Sequence, residues 1–223
     1  MTDIHEQEHL RNRIGVFRDR YQAGDVLGRM LEPCCSDPAD VILLAIPMGG
    51  VPVAYKIRER LGCPMDLAIV RKLQIPGNTE AGFGAATSEG DFILNKPLMA
   101  QLALTEQQIE RERARVREEL ARRNRQLRGE RPFPDLEGKT VILADDGLAS
   151  GFTMKAAVTM VNKRKAAKTI IAVATAPRRT IDALAGGVDA IYCPNIREVI
   201  SFAVAEAYEN WHDLTETEVR DLI

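Results

Sequence analysis

The chain has no run of about 18 apolar residues, so no segment reads as a helix able to cross a membrane. Its first residues, MTDIHEQEHLRNR, contain no apolar core of the kind a secretory signal needs, and the expected location is cytoplasmic. Cysteine is scarce. Cys34, Cys35, Cys63 and Cys193 form neither a Cys-x-x-Cys pair nor a Cys/His ligand set, which argues against a zinc site. Adjacent Cys34 and Cys35 cannot easily bridge each other, so all four read as reduced thiols. No Gly-x-Gly-x-x-Gly or Gly-x-x-x-x-Gly-Lys loop is present, which leaves out the commonest nucleotide-binding fingerprints. Positive charge is not in excess. A formal net charge of −2 supplies no global field for nucleic acid, although a local basic face stays open.

What the chain does have is size and alternation. With 223 residues it can bury a large core without disulfides or a structural metal. Phe17, Tyr21, Leu27, Met30 and Leu31 recur on one helical face after a polar lead-in over residues 1–13 that reads as frayed. Val41–Ile46 is a short apolar run bounded by Asp40 and Pro47, the pattern of a buried parallel strand. A turn at Pro47-Met48-Gly49-Gly50 leads into a helix over Val51–Leu61 that Gly62 stops, and Met65–Val70 is the next strand. The same unit returns downstream: strands at 141–144, 169–175 and 190–193, with helices at 153–164 and 178–185 between them. Strands alternating with helices predict an α/β fold with a mostly parallel sheet covered on both faces.

Two segments break the alternation. Residues 71–90 hold five glycines and prolines and few apolar side chains, and read as a long functional loop ending in a hairpin turn at 88–91 between 82–87 and 92–95. Residues 105–128 read as a charged helix. Thr105 and Gln108 form its capping box, and Leu104, Ile109, Val116, Leu120 and Leu127 form a thin apolar stripe. Its arginines, from Arg111 to Arg125, are partly balanced by Glu110, Glu112, Glu118 and Glu119, which favours a solvated helix over a nucleic-acid contact.

The chemistry concentrates in Val141-Ile142-Leu143-Ala144-Asp145-Asp146-Gly147-Leu148-Ala149-Ser150-Gly151-Phe152-Thr153. A buried strand ends in two acids, and small residues between two glycines lead into a helix. Ligands of open α/β sheets bind at such strand ends. Gly147 and Gly151 let the backbone turn close to a ligand, and the helix N-terminus beyond them favours an anion, with Ser150 and Thr153 as hydroxyl donors. Asp145 and Asp146 would repel that anion, so their natural partners are vicinal sugar hydroxyls or a Mg²⁺ ion. Acids and cradle together suit a ribose 5-phosphate.

This segment resembles the 5-phosphoribosyl 1-diphosphate (PRPP) binding motif of type I phosphoribosyltransferases, with Ser150 where Thr is usual. Ala45-Ile46-Pro47-Met48-Gly49-Gly50-Val51 is similar to that family's pyrophosphate loop, and Arg71-Lys72 to the start of its mobile catalytic loop. The stretches Phe17–Gly24 and Pro76–Glu80, the latter followed by Gly84-Ala85, resemble a branch of bacterial and archaeal members. The resemblance implies one domain over residues 1–223: a core at about 38–193, an inserted hairpin and long helix at about 82–128, and a small hood from the N-terminal segment and about 194–223.

It implies a Mg²⁺-dependent transfer of the phosphoribosyl group to a nitrogenous base or related acceptor. Asp145 and Asp146 would hold the ribose hydroxyls and reach Mg²⁺ only through PRPP or water. Gly147, Leu148, Ala149, Ser150, Gly151 and Thr153 would cradle the 5-phosphate. Met48, Gly49 and Gly50, with Arg71 and Lys72, would face the pyrophosphate, and Lys72 would join the two acids as catalytic. Met48 lacks the basic side chain that many relatives carry there. Ala149 lacks the acid with which 6-oxopurine enzymes move a proton on the base, which disfavours hypoxanthine and guanine. Tyr192, Phe202, Tyr208 and Trp211 could stack on an acceptor but are favoured as core. The alternative is a non-enzymatic PRPP-sensing regulator that binds nucleic acid through residues 111–128. The long helix and N-terminal segment could also build a homodimer.

Overall fold

A computed structural model describes residues 2–35 and 37–223, without the side chains of 79–81. In chain order the elements are β1 (Asp3–His5), α1 (Arg20–Leu31), β2 (Val41–Ala45), α2 (Gly50–Leu61), β3 (Met65–Leu67), β4 (Val70–Ile75), β5 (Asn78–Thr87), β6 (Phe92–Leu94), α3 (Lys96–Gln101), α4 (Glu106–Arg128), β7 (Thr140–Asp145), α5 (Phe152–Lys163), β8 (Lys168–Val173), β9 (Thr175–Pro177), α6 (Arg178–Ala185), β10 (Ala190–Tyr192), β11 (Asn195–Arg197) and α7 (Glu216–Arg220). Six strands form the central sheet in the order β1-β10-β8-β7-β2-β3, with parallel pairing throughout.

The near-continuous apolar strands follow from this burial on both faces. Side chains alternate across a strand, so Leu43, Ala45, Ile142, Ala144, Ile170 and Ala172 pack into one core. Leu44, Ile46, Val141, Leu143, Ile171 and Val173 pack into the other. Helices α1 and α2 close on each other through small residues. A Cβ on Gly24 would stand 2.5 Å from the Val53 carbonyl oxygen, so a larger residue would force the helices apart. Gly62 ends α2 at φ +67°, the left-handed conformation that glycine adopts without penalty.

Three expectations need correction. The lead-in is not frayed throughout: Asp3–His5 is an edge strand paired with β10, and the Thr2 hydroxyl donates to the Val188 carbonyl at 2.7 Å. Edge pairing runs through the backbone, so three residues gave no side-chain pattern to detect. The strand expected over 65–70 ends at Leu67. Residues 71–90 are not a long loop. They are largely antiparallel strands, β4 on β5 and β5 on β6, with register shifts near Leu73–Ile75. Glycine masked the strand signal there. A Cβ on Gly84 would run into the Ile93 carbonyl, so a close inter-strand approach demands glycine.

The long helix is as read. Thr105 and Gln108 cap α4 reciprocally, and Ile109, Val116, Leu120 and Leu127 are its buried stripe. Among its arginines, Arg113 pairs with Glu110, and Arg115 with Glu112 and Glu119. At its end Arg128 grips Asp66 through two bonds of 2.7 and 2.9 Å, tying α4 to β3 at the edge of the central sheet. No helix among the described residues is long and apolar enough to cross a membrane.

Candidate active site

The carboxyl ends of β2 and β7 lie side by side, with Ala45 paired to Ala144, so the loops that follow them share one rim. Asp145 ends β7 and Asp146 follows it. Both are buried, at 9% exposure each. The Asp146 N–H donates to Asp145 Oδ1 at 2.9 Å. Burial, reinforced by the Asp146 charge, pushes the Asp145 carboxyl well above the usual carboxylate range. Burial also raises Asp146, against the opposing pull of Arg20.

Arg20 is the main residue that sequence reasoning missed. It opens α1, where the Asp19 side chain caps the helix by accepting from the Gln22 N–H. Its Nε donates to Asp146 Oδ2 at 2.8 Å and its Nη1 to the His212 carbonyl at 2.9 Å. Trp211 covers the guanidinium face at 3.9 Å. Tyr208, buried and tilted against Trp211, donates its hydroxyl to the Asp146 carbonyl at 2.6 Å. The second acid is thus fixed by groups from both ends of the chain. Arg20 falls within the Phe17–Gly24 stretch noted above, but no local pattern announces a partner 126 residues away.

The turn after β2 presses on the same carboxylate. A Cβ on Gly49 would overlap Asp146 Oδ2, and one on Gly50 would stand 2.5 Å from the Ala144 carbonyl oxygen. Only glycine allows the two loops to touch. The Pro47–Met48 peptide, just ahead of these glycines in the turn, is cis. Met48, Gly49, Asp146, Arg20, Trp211 and Asp213 line one cavity of about 440 Å³.

Beyond Asp146 the second loop divides in two. Gly147 lies so close to Val204 that a Cβ would stand 2.5 Å from Cγ1. Leu148 turns inward, and its N–H donates to the Thr175 carbonyl at 2.9 Å, so this residue anchors the loop. Ala149 and Ser150 face outward and line a second cavity of about 400 Å³ with Arg179, Thr180 and Phe202. The Thr180 hydroxyl donates to the Ala149 carbonyl at 2.7 Å, which ties the loop to α6. Gly151, at φ +76°, starts α5 with no side-chain cap, and Thr153 lies in its first turn. An uncapped helix start beside small residues attracts anions, each helix-end contact contributing about 0.3–2 kcal/mol.

The remaining site residues stand apart. Arg71 and Lys72 lie on β4 and line neither cavity. Arg71 pairs with Glu119 of α4. The stem of Lys72 lies against Gly82, where a Cβ would collide with it. Thr79 and Glu80 have side chains outside the described residues. Tyr192 is buried and stacks on His5 at 4.2 Å, as expected of core. Trp211 is 38% exposed and so only partly core. Among the described residues no group of three or more His, Cys, Asp or Glu side chains could hold a metal. Two adjacent acids alone suit a cation carried largely by the oxygens of a substrate and by water, as Mg²⁺ commonly is.

A family model described as the phosphoribosyl transferase domain matches residues 24–210. Two strains of Mycobacterium tuberculosis each have a protein named "Putative phosphoribosyl transferase" that is 32% identical over 204 residues, 92% of this chain. The chain spans only 45% of the length of these relatives. The crystal structure of TT1426 from Thermus thermophilus is 31% identical, covers 92% of this chain and 96% of its own, and superposes with a TM-score of 0.76. A hypoxanthine phosphoribosyltransferase from Staphylococcus aureus, 14% identical, shares the fold at a TM-score of 0.51 over 84% of this chain and 78% of its own.

Proposed function

The chain belongs to the phosphoribosyl transferase domain family, and from that premise we propose that it transfers the 5-phosphoribosyl group of PRPP to a nitrogenous acceptor, with release of pyrophosphate and with Mg²⁺ as cofactor. One observation carries the reading. Two buried acids, one ending β7 and one just after it, stand one short glycine loop away from the uncapped start of α5. Such a site offers acceptors to sugar hydroxyls and donors to a phosphate, in the order that a ribose 5-phosphate presents them.

Asp145 and Asp146 hold the ribose hydroxyls, with Arg20 fixing the orientation of Asp146. The outward-facing Ala149 and Ser150, with Gly151 and Thr153 at the start of α5, take the 5-phosphate, while Gly147 and Leu148 seat the loop on Val204 and Thr175. Met48, Gly49 and Gly50 bring the pyrophosphate turn against Asp146. In the reaction the bond from the anomeric carbon to the pyrophosphate oxygen breaks and a bond to the acceptor nitrogen forms. The Gly50 N–H is spent on the Ile46 carbonyl at 3.0 Å, so the backbone N–H groups of Met48 and Gly49 stabilise the charge on the leaving pyrophosphate, and bound Mg²⁺ would supply further neutralisation there. Lys72 and Arg71, carried on the β4–β5 hairpin, add positive charge when that hairpin folds over the substrate and excludes water. Segments 15–18 and 206–210 pair with each other beside Asp146 and form the hood over the acceptor side.

Calorimetry with PRPP and Mg²⁺, followed by pyrophosphate release against a panel of bases, tests the proposal. Binding that disappears in the Asp145→Asn, Asp146→Asn double variant is expected. A wild-type protein that binds no PRPP would remove the reading.

A further inference from the structure

Arg197 is a buried guanidinium whose hydrogen bonding is incomplete. It ends β11 opposite Pro177 of β9 and is 6% exposed. Its Nη2 donates to Glu206 Oε2 over a long 3.3 Å. Its Nε and Nη1 are buried without a hydrogen-bond partner among the described residues. Buried polar groups are normally paired, and an unpaired charged donor is costly, so a partner is missing here.

The surroundings indicate which partner. Arg197 lines a cavity of about 330 Å³ together with Arg178, Arg179 and Glu198. Helix α6, eight residues long, begins at this cavity behind Pro177, with no side-chain cap. Its first N–H groups and the positive end of its dipole therefore open where the arginines gather. Arg178 spends its Nε on Asp182 at 3.0 Å, and Arg179 its Nη1 on the Val199 carbonyl at 2.9 Å. A guanidinium has five N–H donors, so both retain capacity for a ligand. Among the described residues Glu198 is the only carboxylate lining the cavity, against three guanidinium groups.

We infer that the Arg178–Arg179–Arg197 cavity binds a phosphate dianion, free or as the monoester of a small metabolite, at a site additional to the 147–153 loop. Planar guanidinium groups match tetrahedral oxyanions in charge and in donor geometry. Arg179 also lines the cavity beside Ser150, so the two anion sites adjoin through one side chain.

The test reads Arg197 directly. In ¹⁵N-labelled protein the Arg197 Nε–H signal is assigned by its loss in Arg197→Lys. Inorganic phosphate is titrated in one arm and adenosine monophosphate in another, against chloride at equal ionic strength. A saturable shift of the Arg197 signal is expected with phosphate, and tighter saturation by the nucleotide would identify a monoester as the source. Arg178→Gln, a partly exposed position that lines this cavity and not the Ser150 one, should weaken the response about tenfold, the loss of one charge-assisted hydrogen bond. An Arg197 signal that moves no more with phosphate or nucleotide than with chloride would overturn the inference, as would an unchanged midpoint in Arg178→Gln. Neither outcome depends on whether PRPP binds, because the signal belongs to Arg197 itself.

Discussion

Asp145→Asn is expected to make the unliganded protein more stable while removing the sugar contact proposed for this carboxyl. The carboxyl is buried beside a second acid, and both facts push it well above the usual carboxylate range. In the unfolded chain an aspartate titrates near ~3.9. Between that pH and the folded-state value, the folded protein binds more protons than the unfolded one. Its stability therefore falls as pH rises through the window, and the loss is complete above the folded-state value. Asparagine does not titrate, and its Oδ1 can still accept the Asp146 N–H now held at 2.9 Å. The gain at neutral pH should be about 1–2 kcal/mol, the usual scale for relieving a strained functional site. In a chain of this length each kcal/mol corresponds to about 2–4 °C in Tm. Urea unfolding at pH 7.5, 6.0 and 4.5 would measure it, and the gap between variant and wild type should close toward acid. A variant less stable than wild type at pH 7.5, or a gap that ignores pH, refutes the reasoning.

Arg20→Met should act in the opposite direction. It strands the buried Asp146 charge and costs about 3–5 kcal/mol; both side chains are at most 12% exposed, so solvent offers little relief, and urea unfolding at pH 7.5 reads the loss. Gly49→Ala forces a methyl into Asp146 Oδ2 and should lower PRPP affinity more than tenfold, since overpacking of this kind costs about 1–3 kcal/mol or more; calorimetry showing unchanged affinity would count against contact between the two loops. Cys34, half-buried, carries a thiol lowered to about 6, chiefly by its hydrogen bond with Cys35, whereas burial raises Cys63 and Cys193. Iodoacetamide labelling followed by peptide mass spectrometry should therefore find Cys34 the first to react, with half-maximal rate near pH 6; equal labelling of all four would contradict this.

The parallel core was legible because burial on both faces writes itself into the sequence as unbroken apolar runs such as Val41–Ile46. The acid pair and the two glycine turns were legible for a related reason: each sits where a strand ends, and each needs a residue type with few substitutes. The β4–β5 hairpin was not, because its glycines serve a close inter-strand approach and so read as loop. Nor was the edge strand at Asp3–His5, which depends on backbone pairing with a strand 187 positions later. Ion pairs between distant segments left no trace at all. Arg20 and Asp146, Arg128 and Asp66, and the half-paired Arg197 all read as ordinary charges until the fold buries them.

That limit falls on one side of the site. The match to the phosphoribosyl transferase domain covers residues 24–210. Both acids, the two glycine turns and the start of α5 lie inside it. Arg20, Trp211 and Asp213, which line the cavity against Met48 and Asp146, lie just outside it on either end. The shared part of the molecule thus carries the residues proposed to hold the sugar phosphate, and Arg20, Trp211 and Asp213 from the flanks line the cavity beside them. Tyr208 links the two, since its ring packs on Trp211 and Phe17 while its hydroxyl holds the Asp146 backbone. Under the proposed reaction, an acceptor entering this cavity would meet the indole of Trp211, a guanidinium already committed to Asp146, the carboxylate of Asp213 and the apolar side chains of Val204 and Leu214. An indole and a carboxylate favour a flat acceptor that donates hydrogen bonds over one that carries negative charge. Specificity in this chain should therefore respond to substitutions at 211 and 213 in KM for the acceptor, while the affinity for PRPP follows residues 49 and 145–153.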